Sequence, residues 1–347
     1  MASVTEIPLD DPSAGDIREY RSNSLWRLTL RRLLKQRSAV IGLIMLLFLI
    51  LTAIFAPLLA PYDPLNDLIG EEEVGRRDPP CIHALGCDEA IPQHFMGIDG
   101  NFRDVLSRII YGTRISLSVG FITVSFAIIV GTLLGALAGY SGGWADNIIM
   151  RVLDVLLAFP FLLLAIALVS VLRQRLIGGM ETLADQIHPT VAGLVANIDW
   201  GLGAAMLAIA IVTIPQYARV VRASVLSVRE QAFVEASRAL GASHFRILFN
   251  RILPNALPPL IVQATLGIAT AILETAALSF IGLGAQPPTP EWGAMLAQER
   301  SQFRSAPHLV FFPGLAIMIT VLAFNLLGDG LRDALDPRLA HAGAKKK

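Results

Sequence analysis

What this sequence has least of is charge. Only 16% of its 347 residues are Asp, Glu, Lys or Arg, while 54% are hydrophobic; a soluble domain carries about a quarter charged residues. That argues against a water-soluble enzyme, because there is too little charge for a soluble surface and too much apolar mass for one core. Its 28 basic and 28 acidic residues cancel, which leaves no bulk charge to attract nucleic acid. Two cysteines, Cys81 and Cys87, make neither a disulfide scaffold nor a four-ligand zinc site. Lysine is nearly absent, with Lys35, Lys345, Lys346 and Lys347 alone. None follows a glycine, so there is no G-x-x-x-x-G-K-[ST] phosphate loop, and any ATP must be hydrolysed by another chain. The six histidines show no ligand spacing and no H-E-x-x-H. With no G-x-S-x-G and no G-x-G-x-x-G either, the sequence supports no metal site, no hydrolase and no catalytic role for this chain.

What is present is a set of charge-free runs. A helix needs about 20 apolar residues to span a bilayer. The candidates are Ser38–Tyr62, Ile115–Trp144, Val155–Leu172, Gly201–Ala218, Ile252–Leu273 and Leu309–Gly328. Together they predict an all-α integral membrane protein with six transmembrane helices. The first run follows 37 more polar residues and exceeds the roughly 7–15 residues of a signal-peptide core. It is expected to be an uncleaved anchor.

Basic residues set the orientation. The tail before the first run, the segment between the fourth and fifth runs, the C-terminal tail and Arg151 together hold 19 of the 28. Both termini are therefore expected in the cytoplasm. The stretch Pro61–Arg114, acidic and holding both cysteines, falls outside. In that compartment Cys81 and Cys87 either bridge or remain free thiols. A second outer segment, Arg173–Trp200, is expected to carry a short surface helix within Met180–Ile198. The segments are thus 1–38, a cytoplasmic tail; 39–60, the first anchor; 61–110, an extracytoplasmic loop; 111–331, a core of five spans; and 332–347, a second cytoplasmic tail.

The cytoplasmic stretch 229–254 is the most informative. Phe233, Ala236 and Leu240 share one helix face. Gly241 ends that helix, Ser243 caps a second short one, and Pro254 starts the next span. The outcome is a helix–turn–helix knuckle. On the residues alone, a docking element and an idle amphipathic surface helix are both open.

Glu235-Ala236-Ser237, Gly241 and Leu253-Pro254 resemble the E-A-A…G…I-x-L-P loop of permease subunits of binding-protein-dependent ABC importers. Ser237 stands for the second alanine, and Arg251 for an isoleucine. Further stretches are similar to the dipeptide, oligopeptide and nickel branch: Met96–Leu117, Asp154–Phe161, Glu274–Gly293 and Asn325–Arg338. The resemblance runs from Ala39 to Arg338 and implies the type I ABC importer permease fold in a bacterial or archaeal plasma (inner) membrane. It implies a second, homologous permease subunit, two ATP-binding subunits and an extracytoplasmic substrate-binding protein. It also implies that the loop around Glu235 and Gly241 couples ATPase closure to opening of the pathway. ATP and magnesium would sit on the ATPase subunits, with no cofactor on this chain. Peptides are the implied substrate, with nickel or another small solute as the alternative. The rival of a different class is a self-contained secondary transporter or channel, in which the knuckle would be idle.

Other residues carry narrower expectations. Gly131, Gly135 and Gly139 repeat every fourth residue and suit close helix packing, within the subunit or against a partner. Pro160 and Pro215 interrupt the third and fourth runs, as fixed kinks or as hinges. Glu274 is the sole acid between Ile252 and Pro290, and either lines the pathway as a gate or sits near the outer interface.

Overall fold

The computed structural model describes residues 30–70, 72–184 and 199–335, without the side chains of 177–184. Among them the chain is helical, with no strand beyond two isolated bridges. In order come α1 (Arg37–Ile54), α2 (Ala56–Leu59), α3 (Val105–Ser141), α4 (Gly143–Leu157), α5 (Phe161–Ala184) and α6 (Trp200–Arg229). Then follow α7 (Ala232–Ala239), α8 (His244–Ile247), α9 (Leu253–Phe280), α10 (Trp292–Glu299) and α11 (His308–Leu335). Five of the described helical stretches are long and apolar enough to cross a membrane: α1, α3, α6, the stretch His244–Phe280 and α11.

The third run departs from expectation. The expected interruption at Pro160 is a full break rather than a kink within one helix over Val155–Leu172: α4 and α5 meet at an angle of 95°. The break falls at Ala158–Pro160. Pro160 has no N–H to continue α4, but its carbonyl accepts from Leu164 N at 3.1 Å and opens α5. Counted as one bent span, the pair is the sixth. Pro215, by contrast, is buried inside α6, and the helix continues through it. Residues 105–110, expected in the outer loop, are the first turns of α3, because Asp104 caps that helix by accepting from Ser107 N at 2.7 Å. Met180–Ala184 belongs to the end of α5, and the rest of the expected surface helix lies outside the described residues, as do most of both tails.

The core is built on α3 and α6. Gly131, Gly135 and Gly139 are all buried on α3 and face α6 within this subunit. A Cβ on Gly131 would stand 2.8 Å from Tyr217 Cβ, one on Gly135 would collide with the Ala218 carbonyl, and one on Gly139 would stand 2.9 Å from the Arg222 carbonyl. Three glycines thus let two backbones touch along more than two turns. α9 and α11 close the bundle, with Ile268, Ala269, Ile272 and Phe324 in its apolar centre.

Candidate functional site

The knuckle grows directly from α6. α7 ends with two paired backbone bonds: Ala242 N donates to the Ser237 carbonyl at 3.1 Å and Gly241 N to the Arg238 carbonyl at 3.0 Å. That wrap needs a left-handed residue, and Gly241 supplies it at φ +78°. Ser243 then caps α8, its hydroxyl accepting from Arg246 N at 3.4 Å. A π-helical turn, Leu248–Ile252, joins α8 to α9, and Pro254 stands in the first turn of α9, where its missing N–H costs little. Nothing in the local residue pattern marked the π turn.

The knuckle is held from inside by Val234, Ile247, Leu248 and Ile252, all buried. The face expected from helical spacing is the other one. Phe233 and Ala236 are exposed, and Leu240 is 88% exposed. Phe245, 72% exposed, stacks on Phe249 with ring centroids 4.4 Å apart. Glu235, Arg238 and Arg246 stand exposed among them. Ser237, half-buried, donates to the Phe233 carbonyl of its own helix at 2.8 Å. The tip therefore presents apolar side chains bordered by charge, on a turn fixed by backbone geometry. One further contact ties it to the bundle: Tyr140 Oη, on α3, lies 2.7 Å from His244 Nδ1.

The opposite end is capped by the loop 61–104 and by α10. Cys81 and Cys87 are joined by a disulfide. Buried His94 is held through Nδ1 by Asp104 at 3.0 Å and through Nε2 by Glu72 at 3.1 Å. Tyr62 donates to Glu72 at 3.1 Å and stacks on His94. Burial opposes a charge on His94, but hydrogen bonds and attraction from Asp104 and Glu72 outweigh it and hold the imidazole above its usual value. Burial, reinforced by Glu72, pushes the Tyr62 phenol up to about 12. Arg77 pairs with Glu299 at 2.8 Å, and buried Arg108 lies 3.5 Å from Asp99. Asp199 accepts from Gln286 N and Thr289 Oγ1, at 3.0 and 3.1 Å, which fastens the start of α6 to the loop after α9. The disulfide was one of the two states open for these cysteines; the other pairings were not legible in the sequence, since each joins ordinary residues that form no local motif.

Glu274 sits on α9 six residues before its end at Phe280, at the end away from the knuckle. It is half-buried, and its Oε2 is sealed from solvent without a hydrogen-bond partner. The structure does not bring it near Pro160 or the knuckle. Among the described residues no group of three His, Cys, Asp or Glu side chains is arranged to hold a metal.

Comparison with known proteins agrees with this architecture. The family described as binding-protein-dependent transport system inner membrane component matches residues 131–341. The N-terminal TM domain of oligopeptide transport permease C matches residues 24–80. A dipeptide transport system permease protein of Alkalihalophilus pseudofirmus is 45% identical over 326 residues, covering 92% of each chain. A glutathione transport system permease protein of Pectobacterium atrosepticum is 42% identical over 327 residues, covering 93% of this chain and 94% of its own. In fold, the chain is similar to a chain of the MetNI methionine ABC transporter solved in inward-facing conformations. The TM-score is 0.50 at 20% identity, over 66% of this chain and 96% of that one.

Proposed function

We propose, from the premise that this chain belongs to the family of binding-protein-dependent transport system inner membrane components, that it forms half of a peptide importer's pathway and is driven through its knuckle. As a member of the family it is a membrane-spanning transport permease subunit of an ABC importer. Its substrates are di- or oligopeptides, a reading supported by relatives named for dipeptide and glutathione transport. A second permease completes the pathway, an extracytoplasmic binding protein delivers the peptide, and two ATPase subunits carry ATP and magnesium. The knuckle and both termini face the cytoplasm of a bacterial or archaeal cell, and the disulfide-bearing loop faces outward.

One observation carries the docking role: the exposed, charge-bordered apolar tip of Phe233, Leu240 and Phe245 around Gly241. A solvated surface helix would turn such residues inward. An ATPase groove would bury them and meet Glu235 with a basic or hydrogen-donating surface. ATP-driven closure then favours one pathway state only through a contact that differs between states, and this tip supplies it. Glu274, near the outer end of α9, serves as a polar gate residue there, and Pro160 sets the bend of the third span. Pro215 gives α6 a fixed shape.

The test uses Glu235→Lys and Gly241→Val. Both variants are expected to reach normal membrane levels, while ATPase co-purification falls and uptake of a labelled dipeptide is lost. Normal uptake with the ATPase still bound in both would overturn the docking role. The ATPase subunits would then engage another cytoplasmic surface of this chain.

A further inference from the structure

The bent third span is held to the bundle in an unusual way. α4 has 15 residues, yet only Leu153 is buried in this chain. Trp144, Ile148, Val152 and Val155 are exposed and contribute little hold within the subunit. The turn that leads into α4 is Gly142-Gly143, at φ +67° and +54°. Two glycines without Cβ atoms bend at small cost, so the turn itself does not fix the helix.

Leu153 seats α4 on the apolar core, with Ile149, Met150 and Leu156 packed against it, and α6 adds charged contacts. Arg222 meets Asp146 with two parallel bonds, Nε to Oδ1 at 2.5 Å and Nη2 to Oδ2 at 2.6 Å. This two-pronged geometry is the strong form of an ion pair. Its side chains are 35% and 14% exposed, whereas the second pair, Arg219 with Asp154 at 2.6 Å, is half exposed on both sides. The second pair is therefore the weaker. Seven residues after Arg222, on the same side of α6, Arg229 donates to the Gly139 and Tyr140 carbonyls at 3.2 Å and caps α3. α3 and α6 already touch through their glycines, and α6 runs into the knuckle, which Tyr140 also reaches through His244.

We propose that the Asp146–Arg222 pair is a positioning contact for transport: it makes α4, and with it the bent span, follow the knuckle when the ATPase subunits move. The inference rests on the docking role given to the knuckle. Without the pair, α3, α6 and the knuckle still move as one body, but the double-glycine turn lets α4 lag behind. The chain would then respond to ATP without passing that response to the third span.

The test uses the full complex in lipid nanodiscs. Nitroxide labels at Val152→Cys on α4 and Asn250→Cys beside the knuckle report their distance by pulsed electron resonance, and the disulfide keeps Cys81 and Cys87 unlabelled. The wild-type background is expected to give one narrow distribution, with and without ATP. Asp146→Asn should broaden it at least about twofold, and the swap Asp146→Arg with Arg222→Asp should narrow it again. In the same variants, Asp146→Asn should keep binding-protein-stimulated ATP hydrolysis while uptake of a labelled dipeptide falls roughly tenfold, within the usual range of coupling between sites. The swap should recover most of that uptake. A distribution in Asp146→Asn as narrow as wild type, a swap as broad as the single variant, or unchanged uptake per ATP would overturn the proposal. The docking role fails separately: normal uptake with the ATPase still bound in both Glu235→Lys and Gly241→Val overturns it and leaves the spin-label comparison intact.

Discussion

At the knuckle end, Phe233, Leu240 and Phe245 stand in the open, and the turn beneath them is fixed by backbone bonds around Gly241. At the other end, His94, Asp104, Arg108 and Asp99 are buried and pair with one another, His94 with Asp104 and Arg108 with Asp99. The first end leaves apolar surface unsatisfied within this chain. The second satisfies polar groups internally, at the cost of removing them from water. A surface built to be covered tolerates changes in its own side chains without unfolding. A sealed polar cap does not, because each lost partner strands a buried group.

Four experiments test that contrast, in descending order of effect on stability. Asp104→Ala removes the cap of α3 and the partner of buried His94 together. It is expected to cost about 3–5 kcal/mol, as for breaking a buried pair, and to lower the thermal midpoint of the purified protein sharply. A midpoint within a degree of wild type would show that the polar cap is not a cooperative part of the fold. Gly241→Val meets no neighbouring atom, since nothing lies within 4 Å of its would-be Cβ. Its cost is therefore backbone strain alone, about 1–3 kcal/mol, confined to the knuckle and visible as faster hydrogen exchange over 235–245. Faster exchange in the polar cap of this variant would break the division between the two ends.

The third experiment is a pH series. His94 titrates above its usual value in the folded protein, through Asp104 and Glu72. A raised folded pKa adds stability that is fully present below the unfolded value, about 6.5, and is lost as pH rises through the folded value. The wild-type midpoint should therefore fall on going from mildly acidic to mildly alkaline buffer, and His94→Gln should flatten that slope. An equal slope in both proteins would remove His94 from the account. The smallest stability effect is expected of Leu240→Ser, within about 0.5 kcal/mol, as for an ordinary surface change. The same variant should still weaken ATPase co-purification, so stability and association part company at this residue. A large loss of stability there would mean that Leu240 packs within the chain.

The residues carried some of these features openly. Charge-free length located five of the spans and, to within a residue, the starts of α1, α6, α9 and α11, because an apolar run of given length has few other uses. The turn at Gly241 and the cap at Ser243 were equally plain, being local backbone devices written within a few residues. The face of α7 was not. Helical spacing grouped Phe233, Ala236 and Leu240 correctly, but spacing does not say which side of a helix meets the bundle. Val234 proved to be the anchor.

What the sequence alone determined, then, is what depends on neighbours in the chain: span length, the glycine repeat of α3, the knuckle's turn and its resemblance to a permease loop. Tertiary structure alone decided that the third run bends by 95°, that Arg222 holds Asp146 across 76 residues and that His94 is shared by Glu72 and Asp104. The reason is physical. Apolarity and local turns act over a few residues and leave a pattern there. An ion pair or a buried hydrogen bond instead joins two commonplace side chains, and only the path of the backbone brings them within 3 Å.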